Sequence, residues 1–243
     1  MIKQIYNCSK GTYGTERITL AINLSGYKIN KKRVHRLKKE LNLKAVIRKK
    51  WYTRKYERQE VAANILNRVF ESQVPRTKFV TDITEMKRID GQRYFLHSIL
   101  DLCGNVIEAY SLSTKNDTNF VLKSLKQIKK TKGNALIHSD QGAQFTTRKY
   151  VTAAKEKGMT VSMSRVGNCY DNAAKESFFG HFKEEFYIFY NPQSQQELEK
   201  SIGEFVEYYN NKRLQVKLKG TPNQYRAKRR YDLFSAARAA ENN

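Results

Sequence analysis

Apolar and polar positions change period several times along this chain, and each change predicts an element. Phe79-Val80-Thr81-Asp82-Ile83-Thr84-Glu85-Met86, with Phe79, Val80, Ile83 and Met86 apolar, reads as a strand. Asp90-Gly91 then marks a hairpin turn, with further strands over Arg93 to Leu100 and Val106 to Leu112. From Thr118 the period becomes helical, with Val121, Leu125 and Ile128 on one face and Gly133 beyond the end. Ala135 to Ser139 is a short apolar strand ending at Asp140, Arg148 to Lys157 a helix closed by Gly158, and Thr160 to Ser164 a strand. Helices follow over Ala173 to Phe186 and Ser194 to Asn211, and the Ala-rich tail after Tyr231 is expected to fray. Three meandering strands followed by helix, strand, helix, strand, helix predict a mixed sheet flanked by helices, an α/β domain of about 115 residues, within the usual domain size range.

The beginning of the chain reads differently. Glu16 to Asn23 is a short amphipathic helix with Ile18 and Ile22 on one face, broken by Ser25-Gly26-Tyr27. Asn30 is placed to cap a second helix, whose Val34, Leu37 and Leu41 form one apolar stripe. Lys31, Lys32, Arg33, Arg36, Lys38 and Lys39 occupy its other faces. Two short helices around a glycine turn fit a helix-turn-helix that lays its second helix on DNA, and fit a basic helical hairpin equally well.

Charge shifts the balance. The chain carries 46 Lys and Arg against 23 Asp and Glu, a net of +23. Residues 1–60 hold 17 basic and 4 acidic side chains, whereas residues 75–190 hold 18 and 12. A basic arm therefore precedes a segment that concentrates the acids. An excess of this size calls for a polyanionic partner, because each neutralised phosphate releases condensed counterions. No apolar run is long enough to span a membrane and no signal peptide opens the chain, so a cytoplasmic location is expected. Cys8, Cys103 and Cys169 are too dispersed for a disulfide framework or a linear zinc site, and the four histidines are equally scattered.

Three acids stand out from those on solvated helix faces, such as Glu40, Glu156, Glu197 and Glu199. Asp82 interrupts an apolar strand, where an uncompensated carboxylate costs several kcal/mol of desolvation. Asp140 sits at the C-terminal edge of another strand, the edge at which ligands bind in open α/β sheets. Glu176 lies in the first turn of the helix that begins at Ala173. Singly, each has an ordinary explanation, a strand-end turn for Asp140 and a helix-start charge for Glu176. Asp171, ahead of an Asn-Ala helix start, reads as a cap; His138 reads as a packed strand residue. Asn168 and Asn172 fit loop capping or DNA contact, and periodicity leaves Tyr208, Tyr209 and Arg213 open between core and DNA.

The spacing is more specific than any single acid, with 35 residues between Asp140 and Glu176 and Lys183 seven residues further on. Val80-Thr81-Asp82-Ile83-Thr84, His138-Ser139-Asp140-Gln141-Gly142, Ser162-Met163-Ser164-Arg165, Gly167 to Ala173 and Glu176-Ser177-Phe178-Phe179-Gly180 closely resemble the OrfB subunit of the insertion-sequence-three family of DDE transposases. Tyr208-Tyr209-Asn210-Asn211, Leu218-Lys219-Gly220 and Thr221-Pro222 resemble that family's C-terminal signature, and Tyr13-Gly14 with the helix around Arg33 its helix-turn-helix.

The resemblance implies an RNase H-like mixed five-stranded sheet flanked by helices and preceded by a small all-α helix-turn-helix domain. It divides the chain into a DNA-binding region over 1–55, a linker over 56–75, a catalytic core over 76–190 and a helical extension over 191–243. It makes Asp82, Asp140 and Glu176 the ligands of two Mg²⁺ ions, with Mn²⁺ as a substitute. Lys183, Lys175, Arg165 and Asn168 become DNA contacts near the reacting phosphate, and Lys31, Lys32, Arg33 and Arg36 contacts from the arm. Expected partners are element ends and target DNA, further copies of the chain, and an OrfA-type recognition subunit. Phe79 and Ala143 stand where the family usually has Trp, Lys175 where an apolar residue is common, and Glu16 where Arg is usual. The chain also starts just before the helix-turn-helix. Two rival readings remain: a DNA-binding remnant or repressor without turnover, against which the intact acid trio argues, and a basic RNA-binding protein, which leaves the acid spacing unexplained.

Overall fold

A computed structural model describes residues 1–45, 62–89, 91–165 and 173–241. Near the N-terminus, α1 (Ile2–Cys8), α2 (Thr15–Leu24) and α3 (Lys31–Glu40) enclose a small core of Ile2, Tyr13, Ile18, Ile22 and Val34. Asn30 caps α3 by accepting the backbone N–H of Lys32, as its position predicts. The apolar stripe of α3 ends one turn early. Leu41, expected in it, is 47% exposed, because the helix stops at Glu40 and Asn42 turns the chain at φ +51°. Lys38 takes the buried place instead. The helix α1 has no counterpart in the sequence reading.

The sheet is built from β1 (Lys78–Glu85), β2 (Phe95–Asp101), β3 (Val106–Ser113), β4 (Ala135–Ser139) and β5 (Met159–Met163), in the order β3-β2-β1-β4-β5. Strands β1, β2 and β3 form an antiparallel meander, while β4 and β5 join parallel to β1 through α4 (Thr118–Gln127) and α5 (Arg148–Glu156). The mixed five-stranded sheet flanked by helices is the fold that was expected. Alternation along the strands feeds two cores. Phe79, Ile99, Ala135 and Ile137 point to one face with Phe120, Val121, Leu125, Tyr150 and Ala154 of α4 and α5. Val80, Leu96, Leu100 and Ile107 point to the other, covered by α6 (Ala173–Phe189) and α7 (Gln195–Asn211). There Phe182 stacks on Phe186 at 5.5 Å and meets Phe205 edge-on at 4.8 Å. Such ring pairs add about 0.5–1.5 kcal/mol each beyond burial.

After α7 a single 3₁₀ turn leads into α8 (Pro222–Glu241). The Ala-rich end, expected to fray, continues as helix: nothing after Pro222 breaks it, and alanine is the best helix former. The turn between β2 and β3 lets this helix approach. Gly104 (φ +87°) leaves no room for a side chain, since a Cβ there would lie 2.9 Å from the carbonyl oxygen of Pro222.

The α1–α3 unit is fastened to α6 by a buried ion cluster. Glu185 accepts two hydrogen bonds from Arg213, at 2.6 and 2.7 Å, and a third from Arg17 of α2 at 3.0 Å. Tyr13 Oη accepts the backbone N–H of Leu214, and Lys10 donates to the carbonyl of Phe189. Arg213 is therefore an internal residue, which answers what periodicity left open; Tyr209 is buried as well. Burial pushes the Glu185 carboxyl up, but Arg213 and Arg17 outweigh it and hold the group below its ordinary range. Such a group stabilises the fold above its unfolded pKa and ceases to do so as pH falls through the lowered one. Glu185→Ala, leaving Arg213 buried and unmatched, is expected to cost about 3–5 kcal/mol in urea unfolding at neutral pH. The gap from wild type should shrink as the medium is acidified below the carboxylate range. A gap independent of pH would show that the charge of Glu185 contributes nothing.

Candidate functional site

Strand pairing sets the segments that lead to the first two candidate acids side by side. Lys78 lies opposite Leu136, Phe79 opposite Ile137 and Val80 opposite His138 in the parallel β1–β4 ladder. Continued two residues, that register sets Asp82 level with Asp140. Asp82, two residues from Val80 within β1, shares the face covered by α6 and α7, while Asp140 follows directly on the end of β4 at Ser139. The ladder itself ends at Val80 and His138, two residues short of the acids. This end of the ladder is the topological switch point of the sheet: β1 connects onward to β2 on one side, while β4 leads through α5 to β5 on the other.

Each acid is held locally. The backbone N–H of Ile83 donates to Asp82 Oδ1 at 2.7 Å, and that of Gly142 to Asp140 Oδ1 at 2.9 Å. Burial raises the Asp140 carboxyl above its ordinary pKa, and the single backbone donor from Gly142 offsets this only in part. Directly opposite Asp82 on β2 is Ser98, on the same face. Asp82 and Ser98 thus stand side by side across β1 and β2, with Asp140 just beyond the end of β4.

Above this face runs α6. Lys175, in its first turn, is fully buried; Nζ donates to Ser98 Oγ at 2.6 Å and lies 4.8 and 4.5 Å from the ring centres of Phe178 and Phe179. Burial pushes its ammonium pKa well down, and the negative charge of Asp82 resists. This corrects the expectation of Lys175 as a DNA contact: no part of it reaches solvent. Lys183, two turns further, is half-buried; burial lowers its pKa while Glu85 and Asp82 oppose the shift. Both lysines therefore converge electrostatically on Asp82.

Glu176 follows Lys175 in the first turn of α6, on the helix that covers this face of the sheet; its side chain lies outside what the structure describes. Among the described residues no three His, Cys, Asp or Glu side chains come together as a metal site. Asp82 and Asp140 supply hard carboxylate oxygens, the donors suited to Mg²⁺ or Mn²⁺ rather than to softer metals. The donor set fits a divalent cation.

Other sequence candidates are spread out. Arg165 is exposed beyond β5, while Asn168, Asp171 and Asn172 lie outside the described residues. Lys31, Lys32, Arg33 and Arg36 are exposed on α3, with Lys31 paired to Glu16 and Arg36 to Glu40. His138 is internal, 2.9 Å from Ser162 Oγ, as a packed strand residue. His97, also internal, bonds Thr81 and Ser124. Ser98 escaped the sequence reading, because only strand register places it beside Asp82.

Gly142 offers a test of this geometry. A Cβ there would lie 3.0 Å from Asp140 Oδ1 and 2.9 Å from Gln144 Oε1. Gln144 can swing away, but Asp140 is held by the loop. Gly142→Ala should leave the melting temperature nearly unchanged and weaken Mn²⁺ binding by about tenfold, or ~1.4 kcal/mol. Unaltered Mn²⁺ affinity would show that the loop does not set the carboxyl.

Comparison with known proteins agrees with this architecture. Residues 1–51 match the HTH-like domain family, while residues 72–169 and 176–229 match two integrase core domain families. The chain is 41% identical over 231 residues to the putative transposase InsK for insertion sequence element IS150 of Escherichia coli K12, covering 93% of this chain and 81% of that protein. It is 30% identical over 220 residues to the transposase for insertion sequence element IS904 of Lactococcus lactis, covering 88% and 86%. Among solved structures, a chain of the simian T-cell lymphotropic virus intasome in complex with a PP2A regulatory subunit superposes with a TM-score of 0.56 at 14% identity, over 93% of this chain and 74% of that one. The HTLV-2 integrase catalytic core domain in complex with magnesium gives 0.51 at 15% identity, over 63% and 97%. At these identities the two structures establish a shared fold.

Proposed function

Because this chain belongs to the integrase-core transposases of the IS3 family of insertion elements, we propose that it cleaves DNA at element ends and joins the freed strand to new DNA. The observation that supports this reading is the β1–β4 register, whose continuation by two residues would set Asp82 level with Asp140. There Asp82, Asp140 and Glu176 hold two Mg²⁺ ions, for which Mn²⁺ substitutes. When bound, the ions supply Lewis-acid activation of the attacking and leaving oxygens of an in-line phosphoryl transfer. The residues of the chain do the rest. Gly142 fixes the Asp140 carboxyl, the packed α6 carries Glu176 over the face of Asp82, and half-buried Lys183 receives the phosphate of the strand being cut. Lys32, Arg33 and Arg36, exposed on α3, bind phosphates of the element end. The relatives' names concern insertion elements and the structural neighbour's an intasome; on this basis the working form is a multimer on DNA in the cytoplasm.

Two measurements bear on this reading. In a strand-transfer assay with Mg²⁺ or Mn²⁺, Asp140→Asn, Asp82→Asn and Glu176→Gln should each lose more than the roughly 100-fold that loss of an outer-sphere partner costs, while still binding element-end DNA. Equal products from wild type and Asp140→Asn would contradict the assignment and leave a DNA-binding remnant. Independently, Arg33→Ala should reduce the slope of log affinity against log salt by about 1. An unchanged slope would remove α3 from the DNA interface.

A further inference from the structure

We propose that the open cleft between the α1–α3 unit and the end of α7 is a separate anion site that takes a phosphate group. Neither Asp82 nor Asp140 lines it, so the inference stands whether or not those acids hold metal. The cleft has a volume of about 620 Å³, in the range of pockets that hold a small organic ligand rather than a bare ion. One wall is α2 with the start of α3, and it carries Arg17 and Lys31. The other is α6 with the segment after α7, and it carries Arg213 and Lys217. Four cations thus reach one cleft from elements far apart in sequence. Among the described residues Glu16 is the one acid on these walls, and Lys31 already holds it.

Charge behind the walls is not balanced. Arg213, only 4% exposed, and Arg17 share a single carboxylate, Glu185, whose two oxygens accept three hydrogen bonds from them. Among the described residues no other side chain or carbonyl accepts from either guanidinium. Arg17 lies over the ring of Tyr13 and Arg213 over that of Tyr209, which holds both forks in place without cancelling their charge. Each guanidinium has more N–H donors than these bonds use. The cluster therefore keeps donors and one net positive charge for a second anion, and an anion in the cleft relieves the cost of burying that charge. The rim lysines add to it. Their pairs with Glu16 and Glu71 are exposed, and such pairs contribute only about 0–1 kcal/mol, so both ammonium groups can turn to a ligand. Fixed forks flanked by flexible point charges suit the several oxygens of a phosphate. Because the two walls belong to different units, a phosphate held between them draws the α1–α3 unit onto the core. It comes either from the backbone of bound DNA or from a small phosphate-bearing molecule, and the test separates the two.

The test uses the whole chain in two assays, neither of which depends on turnover. Binding to an element-end duplex is measured against salt concentration, and thermal melting in inorganic phosphate is compared with melting in chloride of equal ionic strength. Arg17→Gln removes one fork, Lys217→Ala removes one rim charge, and Lys126→Ala, on the exposed face of α4, is the control. If DNA supplies the phosphate, each cleft variant lowers the slope of log affinity against log salt by about 1. Arg17→Gln combined with Arg33→Ala then lowers it by about 2, since the two residues meet different phosphates. If a small molecule supplies it, inorganic phosphate raises the melting temperature of wild type, and both cleft variants lose that gain while their DNA slopes stay unchanged. Should Arg17→Gln fail to fold, Lys217→Ala, which lies outside the Glu185 cluster, decides alone. Unchanged slopes with no phosphate-dependent gain in melting temperature would overturn the proposal, as would equal effects from Lys126→Ala. A slope unchanged in Arg33→Ala but lowered in the cleft variants would remove α3 from the DNA interface and leave the cleft site standing.

Discussion

Two carboxylates that emerge level from neighbouring strands repel each other, and a sheet holds them there only if positive charge stands close by. In this protein the problem is sharpened by burial, which raises the Asp140 carboxyl and leaves it one backbone donor from Gly142. Much of the architecture can be understood as supplying what the pair lacks. The β1–β4 ladder sets the segments that carry the acids side by side, and α6 brings Lys175 and Lys183 within electrostatic reach of Asp82. A sheet edge that needs cations is also one that recruits metal and phosphate.

The second requirement is a rigid carrier for that helix. Four phenylalanines along α6 lock it against α7 and the sheet, so its first turn cannot drift from the face of Asp82. At its other end Glu185 binds Arg213 and Arg17, and Arg17 belongs to the helix pair that carries the exposed basic surface of α3. One helix therefore spans from the proposed chemical site to the docking point of the proposed DNA reader. Packing and charge serve different purposes here: the aromatic face supplies stability, and the buried ions fix which surfaces meet.

Much of this was readable along the chain because it is written in local periodicity. The strands around Asp82 and Asp140, the cap at Asn30 and the helix start at Ala173 all follow from spacing and turn residues, and the order of elements was enough for the sheet. Motif resemblance then added the acid trio and the fold family, neither of which periodicity distinguishes from ordinary strand ends and helix starts. What escaped was set by contacts distant in sequence. Lys175 reads as a surface cation beside Glu176, and only the register that places Ser98 opposite Asp82 shows why it is buried. Arg213 looked equally suited to core or DNA until Glu185, on another helix, claimed it. Leu41 failed for the opposite reason: a local rule was carried past a helix stop.

The central claim is that Asp82 and Asp140 share a cation. Diffraction from crystals grown with Mn²⁺, recorded at the manganese absorption edge, addresses it directly. The account predicts an anomalous peak in the crevice between β1 and β4, within about 2–2.5 Å of carboxylate oxygens from both residues. A fully occupied manganese elsewhere in the chain, with that crevice empty and the two carboxyl groups turned apart, would contradict it.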